Sequence, residues 1–144
     1  VYNEPAGEYI VRSDRFWELR NKYKRLPIAD EIAWAGAENP LPGECEGFVS
    51  CYFELLLNTK GRYLKYYPNG GNSGAAMKEV SDLLAAMEKD RVNGPSYEWP
   101  EHAEEAAFLN KTLTELGKIV AKVRQPEKQA AVSIIKKLRA AYKR

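Results

Sequence analysis

Long apolar runs, histidine and β-branched residues are all scarce in this chain. No stretch approaches the roughly 20 consecutive apolar residues that a membrane-spanning helix needs, so no transmembrane segment is expected. The single histidine, His102, excludes a His-Glu-x-x-His metal motif. A catalytic triad built on it would need a placed nucleophile and an orienting acid, and nothing in the sequence places them. Cysteine is limited to Cys45 and Cys51, a separation that is neither a zinc spacing nor a Cys-x-x-Cys redox pair. There are three threonines, and Ala and Leu outnumber Val and Ile by 30 to 14. Strand signals are correspondingly thin. Asn69-Gly70-Gly71-Asn72 lacks the Lys-Ser/Thr of a phosphate-binding loop and reads as a connection between helices. No cofactor and no metal site is expected.

What remains is the composition of a globular domain. The chain has 144 residues, 44% hydrophobic and 29% charged. That length is one domain's worth of chain and can bury a core without staples. The chain opens on Val1 rather than Met, as expected of a processed product or an excised piece of a longer protein. The formal charge of +2 is unevenly spread: Lys118–Arg144 carries +8 and the first 117 residues carry −6. A basic end of this kind suits nucleic acid or anionic lipid. It equally suits helix C-termini, where cations complement the dipole, or contact with the acidic body of the same protein.

Proline and glycine clusters divide the chain into segments of helical period. Phe16, Leu19, Tyr23 and Leu26 share one helical face, with Ser13 or Asp14 as N-cap. Ile28, Ile32 and Ala35 follow Pro27, a good first-turn proline. Tyr52, Leu55, Leu56, Tyr63 and Tyr66 line a longer segment that stops at Pro68. Ala76, Val80, Leu83, Leu84 and Met87 form the next stripe, capped by Ser73. Ala106, Leu109, Leu113, Leu116, Val120 and Val123 repeat at 3-4-3-4-3, and Ala130, Ile134, Leu138 and Tyr142 close the series. The expected fold is all-α over residues 13–144, with about six helices paired as antiparallel hairpins in a bundle or a short solenoid. Residues 1–12 are expected to be extended, with Glu8–Arg12 as a candidate last strand of an upstream domain.

Arg62-Tyr63-Leu64-Lys65-Tyr66-Tyr67-Pro68, the Gly/Asn loop and Ala75-Ala76 resemble the helix–turn–helix junction of tetratricopeptide-like proteins. The stretch is most similar to bacterial envelope members in which a helix ends in Tyr-Pro before an Ala-bearing helix. The resemblance covers Arg62–Ala76 and implies helical hairpins and an envelope location. It assigns no functional residue.

Three groups of residues are candidates for function. Cys45 and Cys51 can form a disulfide if Cys45 lies in the loop before a helix starting near Gly47 to Ser50; otherwise they are two buried thiols. A bridge implies an oxidising, periplasmic or otherwise extracytoplasmic compartment, and free thiols leave a cytoplasmic location open. Tyr63, Tyr66, Tyr67, Tyr97 and Trp99 are candidate binding residues, because Tyr and Trp are enriched in binding hot spots. The expected surface joins the loop Asn39–Gly47 to the Tyr63–Tyr67 helix end. Glu44, Glu46 and Glu54 are candidate carboxylates for glycan cleavage, whereas Glu101, Glu104 and Glu105 around His102 read as an acidic first helical turn. The functional expectation is a non-enzymatic helical scaffold or binding module of a bacterial envelope protein, with a protein or cell-wall component as partner. The alternatives are a glycan-cleaving enzyme, or nucleic-acid binding through Lys118–Arg144, which is the less favoured partner class.

Overall fold

The structure, a computed structural model, describes residues 2–4, 7–39 and 43–143. It is mostly helical, with one small sheet. Strands β1 (Tyr2–Asn3) and β2 (Glu8–Tyr9) pair antiparallel, Tyr2 opposite Tyr9. The strand expected within Glu8–Arg12 is therefore two residues long, and its partner is the chain's own N-terminal segment. The helices are α1 (Ser13–Lys22), α2 (Ile28–Glu38), α3 (Val49–Leu56), α4 (Arg62–Tyr66), α5 (Ser73–Val92), α6 (Ala103–Val120) and α7 (Lys128–Ala141). A five-residue π-helical turn, Leu57–Gly61, joins α3 to α4. The three pieces form one continuous rod over Val49–Tyr66, so the described residues form six helical rods, as expected.

Local chemistry explains several boundaries. α1 has Asp14 in its first turn and Arg20 and Lys22 in its last, both complementary to the helix dipole. α2 begins directly after Pro27 with Asp30 and Glu31 in its first turn. α6 begins after Pro100 with Glu104 and Glu105 in its first turn. The rod ends one residue before Tyr67-Pro68, where proline disfavours helical backbone in the preceding residue. Two expected caps lie elsewhere. Asn72, not Ser73, occupies the cap position of α5. Ser13 lies inside α1, buried, and its hydroxyl donates to the Gly36 carbonyl of α2 at 2.7 Å.

The rod is the centre of the fold. It packs against α2, α5 and α6, and α7 lies across both α5 and α6. Contacts are thus not restricted to neighbours in sequence, as they are in a solenoid, and the arrangement is a bundle. α5 and α6 are consecutive, yet each packs on the rod and on α7 rather than chiefly on the other. One core collects Phe53 and Leu64 from the rod, Met77 and Leu84 from α5, Leu113 and Leu116 from α6, and Ile135 and Leu138 from α7.

The stripes of α5 and α6 bury as expected. Those of α1 and α2 do not: Leu19, Tyr23, Leu26 and Ile28 are exposed. These helices meet through Trp17 and Ser13 on one side and Ala29, Ala33, Gly36 and Ala37 on the other. A Cβ at Gly36 would sit 3.1 Å from both Phe16 Cβ and Trp17 Nε1. The small face of α2 is what lets the Trp17 indole lie against its backbone. In α7 the buried positions are Ala131, Ile135 and Leu138, while Ala130 is exposed.

Candidate functional site

The loop between α4 and α5 is fixed from inside the protein. Tyr63 is fully buried, and its hydroxyl donates to Asp30 Oδ1 of α2. The same hydroxyl accepts the Asn72 N–H at 3.0 Å, and Asp30 Oδ2 accepts the Gly71 N–H at 3.0 Å. Burial first, and then the Asp30 hydrogen bond, push the Tyr63 hydroxyl well above the usual tyrosine range. Tyr63, expected to bind a partner, is instead the internal peg on which this corner is built.

Around that peg the rings and cations alternate in a ladder. Lys60 Nζ lies 5.0 Å from the Trp34 ring centre, Trp34 meets Tyr63 edge-on at 5.2 Å, and Tyr63 stacks on Tyr67 at 5.6 Å. The Arg20 guanidinium follows, 5.3 Å from Tyr67 and 4.4 Å from Tyr66, and its Nε–H donates to the Tyr67 hydroxyl at 3.0 Å. Tyr66 packs on Trp17 at 5.7 Å, and Arg62 covers the far face of the ladder, 4.1 Å from the Trp17 ring centre. Each cation over a ring contributes about 0.5–1 kcal/mol where exposed and about 2 where desolvated. Lys60 is the desolvated case: it is buried, donates to the Ala37 carbonyl at 3.0 Å, and pairs with Glu38 and Glu79. It thereby places a cation at the C-terminus of α2.

The ladder borders a groove between the rod and α6, about 460 Å³ in volume. Leu57, Leu64 and Ile119 give it an apolar lining; Arg62 and Lys65 come from α4, and Lys118 and Lys122 from α6 and the turn after it. Glu115 is the one carboxylate in the lining, and it pairs with Lys118 at 2.9 Å. Tyr66, 44% exposed, also lines it. Among the described residues, no carboxylate pairs with Arg62, Lys65 or Lys122, and no acceptor takes a hydrogen bond from them. Burial lowers the affinity of Arg62 for its proton, and the Arg20 charge acts in the same direction.

Tyr97 and Trp99 belong to a separate cluster. Tyr97 packs edge-on against Tyr52 at 5.4 Å, and Trp99 stacks on Tyr142 at 5.8 Å. Tyr52 and Tyr63 are 11 residues apart on the rod, a rise of roughly 16 Å, so the five candidate aromatics do not form one surface. Asp90 organises this second cluster by accepting from the Ser96 N–H at 2.9 Å, the Ser96 hydroxyl at 2.6 Å and the Trp99 Nε1–H at 3.0 Å. Led by the Ser96 hydroxyl, these bonds hold the Asp90 carboxyl down to about 2. A folded-state pKa below the ordinary 3.8 makes the clamp's contribution present above that value and lost as the pH falls through about 2. The Trp99 indole N–H resonance is therefore expected to titrate near pH 2, and Asp90→Ala to abolish the step. A midpoint near 3.8 would contradict the clamp.

Cys45 and Cys51 form a disulfide with Cα atoms 5.3 Å apart. Glu46 and Gly47 take positive φ angles of 48° and 92°, which turns the chain back so that Cys45 reaches Cys51 in the first turns of α3. The turn is also tied to the second cluster: the Glu98 N–H donates to the Gly47 carbonyl at 2.9 Å, and the Val49 N–H donates to the Glu98 carbonyl at 3.0 Å. Residues 40–42 of the expected binding loop lie outside the described residues. The remainder is pinned near the start of the rod, and Cys51 and Tyr63 are separated by roughly 18 Å of helix. The loop and the Tyr63–Tyr67 end are therefore two places, not one surface.

Glu44, Glu46 and Glu54 are all exposed, and none of them lines the groove. His102 is exposed at the cap position of α6. The basic C-terminal segment is partly spent on the body of the protein: Lys137 pairs with Glu88 at 3.6 Å, Arg139 donates to Asn110 Oδ1 at 3.2 Å, and Lys128 donates to the Ala121 carbonyl at 2.6 Å. No helix among the described residues is long and apolar enough to cross a membrane.

Sequence reasoning missed Trp17, Arg20, Asp30 and Arg62. One signal was available: Trp17 and Arg20 are three apart, the spacing that puts a ring and a cation on one helical face. The pairing of either with Tyr66 is a tertiary contact that no local spacing encodes. Compared with protein-family models, curated proteins and solved structures, the chain matches none of them.

Proposed function

We propose that the protein is a non-catalytic helical scaffold or binding module of an extracytoplasmic compartment, the bacterial envelope, with a protein or cell-wall component as partner. The observation that carries this reading is the Cys45–Cys51 bridge. Such bridges persist where the surroundings are oxidising and are rare in the cytosol. The Arg62–Ala76 stretch, with its similarity to tetratricopeptide-like envelope proteins, supports the same reading. Its two helices are joined by a short loop held by Tyr63 and Asp30. Glycan cleavage is less well supported, because acid–base chemistry favours carboxylates in enclosed environments and Glu44, Glu46 and Glu54 are exposed. Nucleic-acid binding is less well supported because Lys128, Lys137 and Arg139 are engaged with the protein itself.

The test is an alkylation trap. Cells producing the native chain are quenched in acid, fractionated, and the free thiols labelled. Both cysteines are expected to be protected in the envelope fraction and to react after reduction. Two labelled cysteines in unreduced material would overturn the compartment. With purified protein, replacing both cysteines by serine is expected to cost about 2 kcal/mol, the chain-entropy value for so short a loop, read from denaturant unfolding.

A further inference from the structure

We propose that the groove between α4 and α6 is a binding site for a phosphate ester carrying an apolar body, with Arg62 as its anchor. The inference rests on the reading of the protein as a binding module and names the ligand class of its groove. Three observations carry it. First, the groove's 460 Å³ falls within the range of small-ligand pockets, roughly 300–1,000 Å³. Second, its lining carries four cations and one carboxylate, and that carboxylate is held by Lys118. The imbalance favours a group with more than one negative charge and several acceptor oxygens. A phosphate monoester supplies both, whereas a carboxylate supplies a single charge.

Third, Arg62 is prepared for such a group and has nothing to bind. The residue is half-buried, and its guanidinium lies over the Trp17 ring, 4.1 Å from the ring centre. Among the described residues no acceptor takes a hydrogen bond from it, as also holds for Arg25, Arg91 and Arg124; what sets Arg62 apart is its place in the groove lining, over Trp17. A guanidinium fixed in this way loses little conformational freedom when it takes two phosphate oxygens together. Leu57, Leu64 and Ile119 share the groove lining with the cations, so an apolar body next to the phosphate would cover them and add to affinity.

The probe is n-hexyl phosphate, titrated into the intact protein by calorimetry, with inorganic phosphate alongside. Saturable one-to-one binding is expected, tighter for the hexyl ester. Arg62→Gln should weaken it about tenfold or more, the size expected for loss of a charge-assisted hydrogen-bond pair. Lys122→Gln, at an exposed position, should also weaken it and guards against a folding defect in the first variant. Lys136→Gln, outside the groove, should leave it unchanged. Absence of saturable binding, or equal losses at Lys136 and Arg62, would overturn the proposal. Co-sedimentation with phosphatidylcholine vesicles containing phosphatidic acid, a lipid phosphate monoester, separates two sources of the phosphate. Arg62-dependent sedimentation supports a lipid headgroup, and Arg62-dependent binding of the soluble ester alone supports a free ester. If the cysteines prove reduced in cells while hexyl phosphate still binds through Arg62, the compartment fails and the site stands; the converse result removes the site alone.

Discussion

Trp17→Ala is expected to destabilise the protein by about 4 kcal/mol, within the range for truncating a buried Trp. The residue is 2% exposed and is the one large apolar side chain that α1 commits to the core. Its indole lies on the Gly36 backbone of α2, beside Tyr66 and under Arg62. Truncation therefore opens a cavity between α1 and α2 and removes two rungs of the ladder together. A loss of this size is a large fraction of the roughly 5–15 kcal/mol that holds a domain folded. Urea unfolding measures it, with an unchanged slope showing that the native state remains compact. Trp17→Phe keeps an aromatic face for Arg62 and should lose much less. A Trp17→Ala protein within about 1 kcal/mol of wild type would mean that α1 is not anchored through this residue.

Gly70→Ala is expected to cost about 3 kcal/mol, by overpacking and by loss of the hydrogen bonds that Tyr63 and Asp30 make at this corner. A Cβ there would sit 2.6 Å from Asp30 Oδ2, 2.7 Å from the Tyr63 hydroxyl and 2.9 Å from Tyr67 Cβ. All three neighbours are held by their own bonds or stacking, so the methyl group displaces the peg that joins α2, α4 and the loop before α5. Gly71 is the internal control. Its added Cβ would have Glu31 Oε1 as nearest neighbour at 3.9 Å, so Gly71→Ala should change stability by less than about 1 kcal/mol. Equal effects at the two positions would show that the Asp30–Tyr63 hub does not set the loop.

These two positions also mark where sequence reading stopped. The stripes Ala76-Val80-Leu84-Met87 and Ala106-Leu109-Leu113-Leu116-Val120 were legible and are buried, because both helices face a broad apolar core. On α1, α2 and the turn between them the same rule selected the large aliphatic residues Leu19, Leu26 and Ile28, and these are exposed. Helices at the edge of a bundle can pack closely through small residues, and Ala29, Ala33 and Gly36 give no amphipathic signal of comparable strength. Lys60 was invisible for a related reason: a charge marks a position as exposed unless its partners are known, and Ala37, Glu38 and Glu79 come from other helices. The disulfide was legible as a geometric option, since Pro42-Gly43 and Gly47 allow the chain to double back. The groove was not. Its cations come from α4, α6 and the turn after α6, and only the packing of the rod against α6 brings them together.

The five candidate aromatics fall into different places. Tyr66 borders the groove, Tyr67 holds Arg20, and Tyr63 is structural. Tyr97 and Trp99 serve a different corner, arranged by Asp90. Tyrosines three or four apart on one helix share a face, yet a hydroxyl that finds a half-buried carboxylate pulls its ring into the core while the next ring stays outside.

The most direct measurement is a chemical-shift map of isotope-labelled protein, backbone amides and arginine Nε–H together, during titration with n-hexyl phosphate. The shifts are expected to saturate together and to centre on Arg62, Lys65, Lys118 and Lys122, with the Trp17 indole responding through Arg62. Shifts spread along the exposed cations of α7, or an Arg62 Nε–H that does not move, would contradict the proposed site.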